Sequence, residues 1–125
     1  MMNIMQTRIG GQQIGIILLT ATIAAIHISL AVGAFTQDND IGTFIMFTLN
    51  GLGYLTLLAA TFLPLPVARD NPKLVRWVFI GYVAMTILAW VVLGDKSWPA
   101  GALGYITKLI ELSLITLLWL ERRKA

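Results

Sequence analysis

The chain has 125 residues, of which 58% are hydrophobic and 12% charged, with a net charge of +3 and a mean hydropathy of +0.81. A soluble domain could not carry this composition without exposing large apolar patches, so we predict a single all-α membrane domain over residues 1–125. The lack of cysteine excludes thiol chemistry, and a single histidine argues against a metal site. No soluble catalytic unit remains once the apolar segments are subtracted, so we do not expect an enzyme.

Four apolar segments are long enough to cross a bilayer as helices. We place them at about residues 14–35, 41–65, 75–93 and 103–120. Pro64 and Pro66 end the second segment, because proline cannot continue a helix without losing backbone hydrogen bonds. Short loops make consecutive helices antiparallel neighbours. We therefore predict an integral membrane four-helix bundle with up-down-up-down topology.

Loop charges predict the orientation of this bundle. The stretch 36–40 holds two acids, whereas the stretch 67–76 holds three bases and one acid, and further bases flank the first and fourth segments. Lys and Arg are enriched on the cytoplasmic side, so both termini are predicted to be cytoplasmic and the nearly neutral loop at 95–96 external. A bacterial or archaeal inner membrane is the expected location. The basic residues concerned are Arg8, Arg69, Lys73, Arg76, Arg122, Arg123 and Lys124.

Polar side chains recur at helical spacing on every segment, which indicates a shared interior. A charged group at the centre of a span costs about 2.5–3.5 kcal/mol, so these side chains are expected to face the inside of the bundle. At about 1.5 Å per residue, several of them lie at a similar depth, roughly 10–14 Å below the outer boundary. The predicted buried polar cluster, a candidate site for an ion, a proton or a ligand, comprises His27, Asn50, Tyr54, Tyr82, Thr86, Lys108 and Glu111.

The fourth segment is the least stable of the four in a membrane. Its nine Leu and Ile residues between 106 and 120 contribute roughly −3 to −5 kcal/mol to insertion. Lys108 and Glu111 together cost about 5–7 kcal/mol, which cancels that gain. We therefore expect this helix to depend on its neighbours, or on a contact between Lys108 and Glu111, to remain inserted.

Each candidate residue has a structural interpretation beside the functional one. The long side chain of Lys108 can extend its amine toward water. Glu111 is explained by an ion pair with Lys108 or a hydrogen bond to Asn50 or Tyr54, or else by a proton or cation site. His27 is either a hydrogen-bonded interior histidine or an axial ligand of haem or a chlorophyll-type pigment, in which case another subunit supplies a second histidine. No cofactor is otherwise expected.

Three functional classes fit this sequence. The first is a small non-catalytic accessory or assembly subunit of a larger membrane complex, because the chain has no extramembrane domain. The second is a proton-coupled small transporter or channel that uses Lys108, Glu111 and His27. The third is a redox protein that binds haem, pigment or quinone. The expected partners are the lipid bilayer and other membrane subunits or further copies of the chain, and no nucleic acid is expected.

Overall fold

The structure, a computed structural model, describes residues 10–94, 96–98 and 101–124, with side chains as far as Glu121. Within these residues the chain forms helices and no strand, and the all-α prediction is confirmed. The helices are α1 Gly11–Thr36, α2 Ile41–Phe62, α3 Pro66–Asp70, α4 Pro72–Leu93 and α5 Ala102–Lys124. Four of them, α1, α2, α4 and α5, are long and apolar enough to cross a membrane. Arg8, Asp95 and the side chains of Arg122, Arg123 and Lys124, used above for orientation, lie outside the described residues.

Proline accounts for the differences between the predicted and observed helix ends. Helix α2 ends at Phe62 and not at residue 65, because Leu63 precedes Pro64 and takes the extended conformation that a following proline favours, with φ −93° and ψ 149°. Helix α4 begins at Pro72 and not at residue 75, since proline is well suited to the first turn of a helix. Arg76, which is counted above among the loop charges and also falls at the start of the third predicted segment, lies in the second turn of α4.

The turn between α1 and α2 is built from Asn39 and Asp40. Asn39 adopts a left-handed conformation with φ 54°, which asparagine tolerates better than most residues. Asp40 caps α2: its carboxylate accepts hydrogen bonds from the Thr43 hydroxyl at 2.6 Å and the Thr43 backbone N–H at 3.1 Å. These hydrogen bonds from Thr43 lower the pKa of Asp40 below its ordinary value of 3.8.

The four long helices pack around one core. Helix α1 packs along α2 and α5, while α4 packs along α5 and also contacts α2. At one end of the bundle, called here the Glu121 end, the Gln13 amide at the start of α1 donates hydrogen bonds of 2.8 and 2.7 Å to the Glu121 carboxylate near the end of α5. At the other end, called the Asp40 end, the rings of Trp90 and Tyr105 meet edge to face at 5.1 Å. The fully buried apolar core comprises Ile16, Ile23, Ala24, Tyr54, Phe79, Val83, Leu114 and Leu118.

Candidate functional site

A buried carboxylate lies at the centre of the candidate site. Glu111 of α5 has no exposed surface, although a carboxylate is rarely buried unless it is paired. The Lys108 ammonium, one turn earlier on the same helix, lies 2.5 Å from Oε1 of Glu111. The Tyr54 hydroxyl of α2 donates a hydrogen bond of 2.9 Å to the other oxygen, Oε2. Both carboxylate oxygens are therefore partnered, and the ion pair is neutral as a unit.

Tyr54 connects this pair to the first and fourth helices of the chain. Its ring centroid lies 5.7 Å from that of His27 on α1 and 5.0 Å from that of Tyr82 on α4, the latter in an edge-to-face contact. Its side chain is completely buried. The hydroxyl is thus held at Glu111 by ring packing on two sides, which reduces the conformational entropy that the hydrogen bond must overcome.

His27 carries an available ring nitrogen. Its Nδ1 lies 2.9 Å from the backbone oxygen of Ile23, one turn earlier on α1. Because a carbonyl oxygen accepts and cannot donate, Nδ1 holds the proton, and Nε2 of the neutral ring keeps its lone pair. That nitrogen is the atom through which His27 could bind a cofactor or accept a second proton.

A cavity of about 250 Å³ opens beside this cluster, toward the Asp40 end of the bundle. The polar side chains on its wall are those of His27, Thr107 and Lys108, and the other lining residues are Leu30, Phe47, Trp90, Gly94, Gly101, Leu103 and Gly104. Two of these glycines leave room for the Trp90 indole: a Cβ on Gly104 would lie 2.5 Å from Nε1 of Trp90, and one on Gly94 would also meet the ring. Apolar walls and a few polar groups are typical of small-molecule sites.

Asn50, Tyr82 and Thr86 lie apart from this cavity. The Tyr82 hydroxyl donates toward two oxygens of Asn50, the backbone oxygen at 2.8 Å and the side-chain oxygen at 3.0 Å. The Thr86 hydroxyl donates to the Tyr82 backbone oxygen at 3.0 Å. All three line an open groove of about 430 Å³ between α2 and α4, together with Met46, Leu49, Gly53, Met85 and Ala89.

The seven predicted residues thus fall into two groups. His27, Tyr54, Lys108 and Glu111 come together inside the bundle, whereas Asn50, Tyr82 and Thr86 border the groove. The edge-to-face contact of Tyr54 with Tyr82 joins the two groups. The helical spacing places all seven on the polar sides of their helices, but it does not specify how far each helix is rotated about its own axis.

Three further polar residues, Thr107, Gln13 and Glu121, are not part of the predicted cluster but have buried or paired side chains in the fold. Thr107 lines the cavity beside Lys108 and is buried. Gln13 and Glu121 bind each other at the opposite end of the bundle. Helical spacing does put Gln13 on the polar side of α1 with His27, but it cannot show that Glu121 of another helix is its partner.

The described residues contain no group of three His, Asp or Glu side chains arranged to hold a metal ion. Comparison of the chain with protein-family models, with curated proteins and with solved structures found no match.

Proposed function

We propose that this chain is a small non-catalytic multi-pass membrane protein that carries a small anion together with a proton. Its four long helices would cross the bilayer in alternating directions, with both termini on the cytoplasmic side. The contacts Gln13–Glu121 and Trp90–Tyr105 support this topology, because each joins the start of one helix to the end of another. The loop charges support the orientation, with Asp38 and Asp40 at the external end.

The carrier proposal depends chiefly on one observation: the buried Lys108–Glu111 pair adjoins a cavity whose other lining residues lie toward the Asp40 end of the bundle. Lys108 and His27 line this cavity, and Glu111 lies directly behind Lys108. Below the pair, Phe79, Leu114 and other apolar side chains fill the bundle. Such a cavity corresponds to one half of an alternating-access cycle, in which the opposite half has to open in a second state.

Charge balance couples the anion to the proton. The pair is neutral, so an anion that binds the Lys108 ammonium from the cavity leaves the buried group with a net charge of −1. An uncompensated charge inside a span is expensive. Protonation of Glu111 restores neutrality and releases the ammonium from the carboxylate to face the anion, whereas protonation of His27 at Nε2 restores neutrality with the ion pair still in place. Proton uptake and anion binding therefore favour each other, and the linkage between them is reciprocal.

Proteoliposomes test this proposal directly. The purified protein is reconstituted with an internal pH-sensitive dye, and an inward gradient of chloride or methanesulfonate, both permanent anions, is imposed. Wild type is expected to acidify the lumen as anions enter. Glu111→Gln should abolish acidification, whereas Glu121→Gln, the same substitution near the end of the same helix, should keep it. Equal acidification by wild type and Glu111→Gln, or none by wild type under either gradient, would refute the proposal.

The groove between α2 and α4 favours a second candidate function, that of an accessory subunit or homo-oligomer. The Asn50 amide oxygen accepts from Tyr82, but among the described residues its N–H groups have no acceptor. In hydrocarbon, an amide donor is stabilised by a neighbouring helix that supplies an acceptor. Gly53 and Ala89 in the same groove allow close helix approach.

Purification in mild detergent tests the accessory role. We expect wild type to co-purify with a second membrane chain or with further copies of itself, and Asn50→Leu to lose that association. Thr56→Val is the matched control, because Thr56 lies exposed on the same helix and its hydroxyl is already bonded to the Leu52 backbone oxygen. Recovery of wild type as a monomer, or an Asn50→Leu variant that associates as wild type does, would rule this role out.

A further inference from the structure

The guanidinium of Arg76, at the Glu121 end of the bundle, has two donor atoms without a hydrogen-bond partner. The residue is only 8% exposed, and its Nε and Nη2 atoms are buried without a hydrogen-bond partner. Among the side chains that the structure describes, ion pairs are formed by Arg69 with Asp70 and by Lys108 with Glu111. Arg76 therefore carries a permanent charge whose donors have no acceptor on the described part of the chain, and buried arginine normally has one.

The position of Arg76 on its helix explains why its own bundle leaves it unpaired. Arg76, Phe79 and Val83 are the buried residues of α4, and their spacing of three and four places them on one face, toward the core. The described carboxylates at this end already have partners on the chain: both oxygens of Glu121 accept hydrogen bonds from Gln13, and Asp70 pairs with Arg69. The described part of the bundle therefore leaves these donors of Arg76 open to an acceptor that is not among its own side chains.

The approach to Arg76 is basic. Lys73 lies three residues earlier on the same side of α4 and is exposed. The start of α4 has no side-chain cap, since the Asn71 amide donates to the Val67 backbone oxygen instead. Uncapped N–H groups in a first helical turn favour an anion. The half-exposed Trp77 adjacent to Arg76 is a residue type that lies at the level of lipid headgroups.

We propose that Arg76 binds a phosphate group at the Glu121 end, with Lys73 and the first turn of α4 adding to the attraction. The planar guanidinium matches two phosphate oxygens at once, and arginine is used widely for this purpose. The phosphate would belong to the headgroup of an anionic phospholipid or to a free phosphate ion. Arg76 lies only about 6 Å along the helix from Pro72, so either source is within reach of the membrane surface. The proposal is independent of the transport activity.

Native mass spectrometry of the full chain in mild detergent is the first test. Wild type is expected to retain bound phospholipid. Arg76→Gln should reduce the retained fraction about tenfold or more, since it removes charge-assisted hydrogen bonds, and Arg76→Lys should give an intermediate loss. Arg69→Gln is the matched control, because Arg69 is exposed on the preceding helix and pairs with Asp70. Equal retention by wild type and Arg76→Gln would overturn the lipid source.

A second measurement on delipidated wild type separates the two sources and needs no variant. If the source is lipid, phosphatidylglycerol raises the thermal unfolding midpoint, whereas a diacyl galactolipid that lacks phosphate does not. If the source is a free ion, inorganic phosphate raises the midpoint by itself. A midpoint that responds to neither phosphatidylglycerol nor inorganic phosphate overturns the proposal, whatever the folding state of the Arg76 variants.

Discussion

The Tyr54 hydroxyl donates a hydrogen bond of 2.9 Å to Glu111 across the interface between α2 and α5, 57 residues away in the chain. Tyr54 is fully buried, and so is Glu111. This contact holds α5 against α2 at the position where the Glu111 carboxylate would otherwise face apolar side chains. It is therefore the first contact to test.

Replacing Tyr54 by phenylalanine should destabilise the protein. The variant keeps the aromatic ring but leaves Oε2 of Glu111 without a donor, and such a loss costs about 1–3 kcal/mol. Denaturation in mixed micelles measures the effect. Tyr105→Phe is the control, since the Tyr105 hydroxyl is exposed and donates to the backbone oxygen of Lys96. If both variants unfold at the same denaturant concentration as wild type, the Tyr54 contact contributes nothing to stability.

The Lys108–Glu111 pair should behave as a unit. Removing one partner, as in Lys108→Met, leaves the other charge buried and costs about 3–5 kcal/mol. Removing both, in Lys108→Met combined with Glu111→Leu, should cost clearly less than the sum of the two single losses, because no unpaired charge remains. A double-mutant cycle in mixed micelles measures this coupling. Additive losses would show that the two side chains do not stabilise each other.

A methyl group on Gly104 should close the cavity from one side. Its Cβ would lie 2.5 Å from the Trp90 indole nitrogen, so the ring must move, at about 1–3 kcal/mol. Gly104→Ala should therefore lower both the unfolding free energy and any anion-driven acidification. Gly81→Ala provides the contrast, because nothing lies within 4 Å of a Cβ there, and alanine in a helix is favoured by about 0.5–1 kcal/mol. A Gly104→Ala variant that is more stable than Gly81→Ala would contradict this packing.

The stability that the Asp40 cap gives to α2 should be lost at low pH. Its pKa is lowered by the Thr43 hydrogen bonds, so the cap stabilises α2 above the ordinary value of 3.8 and this contribution is lost as the pH falls below it. Thr43→Val removes the hydroxyl and should raise the Asp40 pKa toward 3.8. An NMR titration of the carboxyl carbon in micelles measures the shift. An Asp40 titration that is the same in wild type and Thr43→Val would mean that the Thr43 hydroxyl does not bond the carboxylate.

The sequence by itself determined the four long apolar helices, because apolar length and proline act locally. The 14–35 prediction and the observed Gly11–Thr36 differ by a few residues, and the earlier end of α2 follows from the restriction that Pro64 places on Leu63. Lys108 and Glu111 were also predictable as neighbours, because two side chains that are three residues apart in a helix lie on the same face.

Only the tertiary structure decided which polar side chains meet. The rotation of each helix about its own axis depends on how it packs against the other helices. In the observed packing Tyr54 contacts Glu111, whereas Asn50 and Tyr82 line the groove between α2 and α4. The same packing buries Arg76, whose charge was counted with the preceding loop for the orientation, on the face of α4 that carries Phe79. Local sequence specifies what a helix can bury, and the neighbouring helices determine what it does bury.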